Sequence, residues 1–440
     1  MSVSSIHYLS KIFQPVTVIS KTASISRKDV TSKSQRLMLE LGIIRQSSPG
    51  FFHFLPLGIK SLNKLKKIVN QEMNNVGGQN VLCPSLINCN LWKTSGRLEN
   101  AGPELFQLKD RHRHSYVLSP THEEAISDLI SSVSPLSYKQ FPLRLYQISS
   151  KYRDEIKPRF GLMRGREFVM KDMYTFDTDI ESAKQTYDLL CESYNNIFKK
   201  VGVDFIKVLG TTGNIGGSVS HEFHFKAEIG EDKVLFCHNC NYSGNLDLCN
   251  NEKCPVCGEE KQIDISNCIE VGHTFLLGDK YSKPLKATFL SKDNKPVALQ
   301  MGCFGLGLSR ILAASVEVLS LEQEIRWPDV LAPYNVVIIP PKMGSKEEQD
   351  TKHVAEILYT RLESAIPHLT DNVLVDDRLS LTIGRRHLDA RRVGYRYVIV
   401  INKKASESVP LFELNDIKTN GQLYLSENEL ISFIKDNTVL

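Results

Sequence analysis

The chain has 440 residues, with 54 Lys and Arg against 50 Asp and Glu, 41% hydrophobic and 24% charged residues. This balance excludes a disordered or collagenous chain, and at about 100–200 residues per domain the length suggests two to four domains. No run of about 18 apolar residues occurs, so no helix is expected to cross a membrane, and a net charge of +4 requires any basic surface to be sought locally.

The first 39 residues hold one acid, Asp29, against Lys11, Lys21, Arg27, Lys28, Lys33 and Arg36, interspersed with Ser and Thr. Residues 1–34 therefore read as a mitochondrial transit peptide, with the matrix as destination. A disordered tail has the same composition, and on either reading the fold is expected to start near residue 35.

Ile59, Leu62, Leu65, Ile68, Val69 and Met73 recur at helical spacing before Gly77-Gly78, predicting an amphipathic helix with a glycine stop. Asn80-Val-Leu-Cys-Pro84 then reads as a strand. Leu143–Ile148 and Glu167–Phe176 read as two strands joined by a Pro/Gly-rich loop. Period-two alternation puts Arg153 and Glu155 on one face, and Phe168, Met170, Asp172 and Tyr174 on another. A helix is expected over 181–201, a cysteine-rich insert over 234–268, and a helix opening at Gly305 and running to about Leu321. After the link from Trp327-Pro328 to Ala332-Pro333, strands at 336–339, 373–375 and 397–401 alternate with helices at about 346–364 and 384–394. That order predicts a small α/β domain with a largely parallel sheet, spanning 331–440.

Three segments carry the chemistry. Arg153 lies in Arg153-Asp-Glu155, and an arginine can grip a phosphate and a carboxylate in one planar fork, which a lysine cannot. A loop with Arg159, Arg164 and Arg166 follows, leading to Phe168. The glycines of Gly305-Leu-Gly307-Leu-Ser-Arg310 permit close backbone approach, and Arg310 and Phe168 can cover the two faces of a base. Taken singly, the glycine segment can be an ordinary helix start and the Arg-Asp-Glu triplet a surface ion-pair ladder.

In this order the segments resemble motif 2 (Arg153 onward) and motif 3 (Gly305–Arg310) of the class II aminoacyl-tRNA synthetases. The helix and strand ending at Pro84 resemble the dimer-forming motif 1. Gly102-Pro-Glu-Leu, Ser119-Pro-Thr-His-Glu-Glu124, Lys151–Phe160, Gly216–Phe223 and Met301-Gly-Cys-Phe-Gly305 narrow the resemblance to bacterial-type prolyl-tRNA synthetases, in their mitochondrial branch. The resemblance implies an α+β catalytic core at 35–330, built on an antiparallel sheet flanked by helices, followed by an anticodon-binding domain, and a homodimer. It implies activation of L-proline by ATP with Mg2+, then transfer to tRNA(Pro) for mitochondrial translation. It implies further that Arg153, Glu155 and Arg310 are catalytic, and that ATP is held by these with Arg164, Phe168, Gly305 and Gly307. Proline would be held by Thr121, Glu123, Arg153, Asp172, His221 and Cys303, with Glu123 facing the prolyl ammonium. Locally, Thr121-x-x-Glu124 is also a capping box, and a lone His or Cys is often packing.

Cys237-x-x-Cys240 and Cys254-x-x-Cys257 have zinc-ribbon spacing; a reduced loop descended from a metal site is the other reading. Little else separates motifs 2 and 3, so the large editing domain of many bacterial-type relatives is expected to be absent. From Arg378 to Lys404, eight Lys or Arg, among them Arg385, Arg386, Arg391 and Arg392, meet one acid, Asp389. With Tyr395 and Tyr397 for stacking, this suggests an RNA footprint, and a solvated helix face is the plain alternative. Val375-Asp-Asp-Arg378 and Gly384 resemble the anticodon-binding domain and favour tRNA. Two competitors remain: a catalytically silent relative that binds nucleic acid, and a class II enzyme for another amino acid such as threonine.

Overall fold

The computed structural model describes residues 6–16, 30–100, 102–133, 135–249, 253–351 and 353–438. Two compact units divide the chain. The larger comprises Gln46–Phe52 and Leu65–Val318, and the smaller the described residues of Met1–Arg45, His53–Lys64 and Leu319–Leu440. The boundary expected at 330 thus falls inside the smaller unit, which also takes in residues near the N-terminus.

The expected amphipathic helix is α1 (Pro56–Asn75), with Leu57, Leu62, Leu65, Val69 and Met73 buried and Ile59 exposed. Gly77, at φ +71°, turns the chain beyond it, and of the expected strand Asn80–Pro84 only Asn80 pairs in a sheet, together with Gln79 ahead of it. A helix α2 (Glu123–Ser132) precedes the two motif-2 strands, β1 (Leu143–Tyr152) and β2 (Glu167–Asp177), which pair antiparallel along their whole length. Asp179 then caps α3 (Ile180–Val201) by accepting from the Ser182 N–H, and Gly202 at φ +78° ends it.

The chain continues through β3 (Ile206–Leu209), β4 (Val219–Lys226), β5 (Asp232–Cys237), β6 (Ser243–Asn245), β7 (Ile263–Gly278) and β8 (Gln300–Gly307) into α4 (Leu308–Leu319). These strands join one nine-stranded sheet, in which β7, β8, β2 and β1 lie side by side, all antiparallel. Gly305 and Gly307 therefore lie in a strand, and the helix opens at Leu308 rather than at Gly305. Tyr187, Leu190, Tyr194 and Phe198 of α3 are buried, and Lys171 Nζ on β2 reaches Tyr194 Oη at 2.5 Å. By alternation, Phe168, Met170 and Asp172 turn to the opposite face.

In the smaller unit a five-stranded sheet has the order β10-β9-β11-β12-β13, where β9 is Val336–Ile339, β10 Val373–Val375, β11 Tyr397–Val400, β12 Phe412–Asp416 and β13 Gly421–Leu425. Its first three strands are parallel as expected, and β12 and β13 add an antiparallel edge, so the sheet is mixed. The helices are α5 (Val354–Ala365), α6 (Ile383–Val393) and α7 (Glu427–Asn437). The helix expected at 346–364 is two, Lys346–Asp350 and α5. Ordered structure also begins ahead of residue 35: Tyr8 bridges Val375 in parallel, and Ile6 and Tyr8 pack on the core of this unit. Residues 1–5 and 17–29 of the expected leader lie outside the described residues.

Candidate active site

The sheet face opposite α3 forms the floor of a cleft of about 360 Å³ in the larger unit. Thr121, Glu123, Arg153, Glu155, Arg164, Phe168, Asp172, Cys303, Gly305, Gly307 and Arg310 all line it. Eleven of the twelve residues assigned to ATP or proline from sequence thus converge, although they come from four separate stretches of chain, 121–123, 153–155, 164–172 and 303–310.

Arg153 and Glu155 sit just past the end of β1 rather than on it. The Arg153 N–H donates to the Arg166 carbonyl at 2.9 Å, and its guanidinium lies 5.2 Å from the centre of the Phe168 ring. Arg310, in the first turn of α4, is fixed by its Nε donating to the Met163 carbonyl at 2.8 Å and its Nη1 to the Glu270 carbonyl at 2.9 Å. Burial, and then the charge of Arg310, lower the proton affinity of Arg153, while Glu270, Glu155 and Glu104 oppose this. Burial raises Glu270, yet a hydrogen bond and charge from His273, with Arg310 and His224, hold it below the usual carboxylate range. Two guanidiniums facing a shared space with ionised carboxylates nearby suit an anion that brings its own cation.

Arg164 reaches across the motif-2 loop, its Nε donating to Glu155 Oε2 at 2.9 Å and its Nη1 to Glu231 Oε2 at 2.6 Å. At Gly305 a built Cβ would meet nothing nearer than Met170 Sδ at 3.8 Å, so the missing side chain leaves open cleft rather than relieving a clash.

The other end of the cleft is a buried charge cluster. Glu123 Oε1 accepts from Thr121 Oγ1 at 2.8 Å and from Cys303 Sγ at 3.1 Å, and Arg97 Nη1 donates to both Glu123 and Glu124 at 3.1 Å. Arg97 is sandwiched by Trp92 and Tyr281, and burial pushes the Glu124 carboxyl up. One guanidinium against two carboxylates leaves room for a second cation. The Thr121 capping box does not form: α2 has His122 as N-cap with no side-chain bond, because Thr121 is turned onto Glu123. Asp172 lines the floor with its oxygens engaged by Lys151 Nζ at 2.7 Å, and by Gln147 Nε2 and Tyr174 Oη, each at 2.9 Å. Tyr174 Oη in turn accepts from the His122 N–H at 2.8 Å, which ties Asp172 to the Thr121–Glu123 segment.

His221 is the exception. It pairs across the sheet with Thr274, and cross-strand partners share a face. Thr274 Oγ1 and His221 Nδ1 both meet Tyr187 Oη of α3, at 2.9 and 2.7 Å, so His221 faces the helix and not the cleft. His273, one residue before Thr274, takes a place in the lining. Sequence reasoning also missed Arg97 and Glu270. Two adjacent acids on the apolar start of α2 do call for a buried cation, but nothing in the chain order points to Arg97.

In the smaller unit the expected basic surface is largely neutralised. Arg386 is fully buried, donating to the carbonyls of Asp376 at 3.0 Å and Pro340 at 2.6 Å. Arg391 pairs with Glu324 at 2.7 Å and Arg392 with Glu40 at 3.4 Å. Arg385, 59% exposed, keeps a 3.2 Å contact with Asp389. Tyr395 and Tyr397 are core residues, which removes them as stacking platforms.

Comparison with known proteins first gives the class. The tRNA synthetase class II core domain (G, H, P, S and T) matches residues 106–319, and the anticodon binding domain matches 335–437. The human probable mitochondrial proline–tRNA ligase is 46% identical over 431 residues, covering 97% of this chain and 90% of that protein. Its counterpart in Schizosaccharomyces pombe is 38% identical, covering 87% and 89%, and the Wolbachia pipientis proline–tRNA ligase is 38% identical, covering 86% and 89%. The chain belongs to the proline–tRNA ligase family. Among solved structures, Giardia lamblia prolyl-tRNA synthetase in complex with prolyl-adenylate shares the fold, with a TM-score of 0.75 at 18% identity over 90% of this chain and 73% of that one. The Cryptosporidium parvum enzyme, complexed with L-proline and AMP, gives 0.72 at 16% over 93% and 77%.

Proposed function

We propose that this chain activates L-proline with ATP and transfers it to the 3′ end of tRNA(Pro). The observation that carries this is the single cleft joining the Arg153–Arg310 pair to the Arg97–Glu123–Glu124 cluster. In the first step a proline carboxylate oxygen attacks the α-phosphorus, the bond to the pyrophosphate oxygen breaks, and prolyl-adenylate and pyrophosphate form. No nucleophilic side chain is needed, so the protein contributes position and charge.

Arg153 holds the α-phosphate and the proline carboxylate together and takes up charge as the phosphorus is attacked. Adenine lies between Phe168 and Arg310, above the open floor at Gly305, with Gly307 against Arg310. Glu155 faces the base or the metal, and Arg164, released from Glu155 and Glu231, turns to the phosphates. At the other end the prolyl ammonium supplies the second cation beside Glu123, with Thr121 and Cys303 fixing that carboxylate and Asp172 holding the segment from below. Glu155 and Glu270 offer the oxygen donors that Mg2+ favours, and the ion, when bound, neutralises phosphate charge.

Transfer uses the smaller unit for tRNA recognition, with Arg385 as its contact; Arg391 and Arg392 serve only once freed from Glu324 and Glu40. The working form is a homodimer through α1 and the segment after it. The N-terminal arm directs the chain to the mitochondrial matrix, as suits its relatives' compartment, with residues 6–16 remaining part of the folded protein. Mg2+ with ATP completes the reading.

Charging of a tRNA(Pro) transcript with labelled proline tests it. Acid-stable prolyl-tRNA is expected with proline and none with threonine; tRNA binding without charging by any amino acid would overturn the proposal.

A further inference from the structure

The cysteine module has a core too small to hold itself together. Its buried cluster consists of Leu235, Cys237 and Cys254, so two of the three members are thiols. Modules with so little apolar burial need a staple.

The two Cys-x-x-Cys turns have the same backbone. The Cys237 N–H donates to the Tyr242 carbonyl at 2.8 Å, and the Cys254 N–H to the Glu259 carbonyl at 3.0 Å, five residues on in both cases. Each turn closes on a left-handed residue directly after its second cysteine, Asn241 at φ +57° and Gly258 at φ +73°. The first turn is the bend between β5 and β6, and the second lies in the segment between β6 and β7.

All four sulfurs lie within 4.8 Å of one another. The cross-turn pairs Cys237–Cys257 and Cys240–Cys254 are 3.6 and 3.5 Å apart. A disulfide would need about 2.05 Å. Four thiolates around one zinc at about 2.3 Å stand about 3.8 Å apart, close to the separation of the two cross-turn pairs and inside the 4.8 Å that holds all four. Cys249, which lies between the two turns, instead donates to the Asn245 carbonyl at 3.7 Å.

We propose that Cys237, Cys240, Cys254 and Cys257 bind one structural Zn2+ as a tetrathiolate. The ion pins the β5–β6 bend to the segment that leads into β7. Those two strands lead into the cleft: Glu231, just ahead of β5, holds Arg159 and Arg164, and β7 continues to Glu270 and His273. The site itself does not depend on which amino acid the cleft takes.

The test is metal analysis of the full chain, produced without a histidine tag. One zinc per chain is expected, retained by Cys249→Ser and lost by the double variant Cys254→Ser/Cys257→Ser, with a lower melting midpoint. Because the double variant can fail to fold, Co2+ is also exchanged into the unaltered protein. Thiolate charge-transfer bands and intense visible bands of a tetrahedral CoS4 centre are expected. A chain that neither retains nor takes up zinc, a site filled by iron, or a Co2+ spectrum lacking thiolate bands would overturn the proposal.

Discussion

Gly305 leaves the floor of the cleft open, as the proposed flat base requires. A Cβ there touches only Met170 Sδ, at ordinary contact distance. Gly305→Ala should therefore melt with the parent protein while its KM for ATP rises about tenfold; an unchanged KM would place the base elsewhere. His221 makes a second prediction. Burial, and then Lys207, pull its pKa from 6.5 down to about 4. As pH falls below 6.5 the unfolded chain gains a proton that the folded chain refuses, so stability is whole above that pH and declines toward pH 4. His221→Asn should flatten this decline in melting midpoint, and an equally steep decline in the variant would contradict the assignment. The residues of the two motifs were legible because each carries a local signature, an arginine fork or a glycine pair. Arg97 was not, since a buried cation is defined by the carboxylates it meets, and those lie elsewhere in the sequence.

Among the elements, the strands around the cleft were legible from alternation, which placed Phe168, Met170 and Asp172 on one face. The glycine-rich stretch Gln300–Gly307 was not. Its composition is poor for a strand, and it is held as one by pairing with β7 on one side and β2 on the other. The helix α6 shows the same limit for charge. Arg385 and Arg386 are adjacent in sequence, but about 100° apart around the helix, so one is exposed and the other buried. Arg386→Ala should cost about 3 kcal/mol in stability, because it strands two buried carbonyls. Arg385→Ala should leave stability within about 0.5 kcal/mol and raise the KM for tRNA. Urea melts and charging kinetics on both variants read this directly, and the reverse pattern would refute it.

For the whole molecule, the order of parts was legible: catalytic core, cysteine module inside it, anticodon-binding domain last. The compact units were not, because residues near the N-terminus join the smaller one through contacts such as Tyr8 with Val375. Between β2 and β8 the described residues build α3, the sheet and the cysteine module, with no separate editing domain among them. A pocket for proline cannot strongly refuse the smaller alanine, since missing methylenes are worth about 1–3 kcal/mol. The chain should form alanyl-adenylate and leave alanyl-tRNA(Pro) intact; rapid hydrolysis of the mischarged tRNA by the pure protein would contradict this. On the proposed reading, one cleft brings proline and ATP together on Arg153 and Arg310. The most direct test is ATP–pyrophosphate exchange on the full chain. Exchange should require proline and fall about 10²–10³-fold in both Arg153→Ala and Arg310→Ala. Exchange that survives either substitution, or that no amino acid supports, would contradict it.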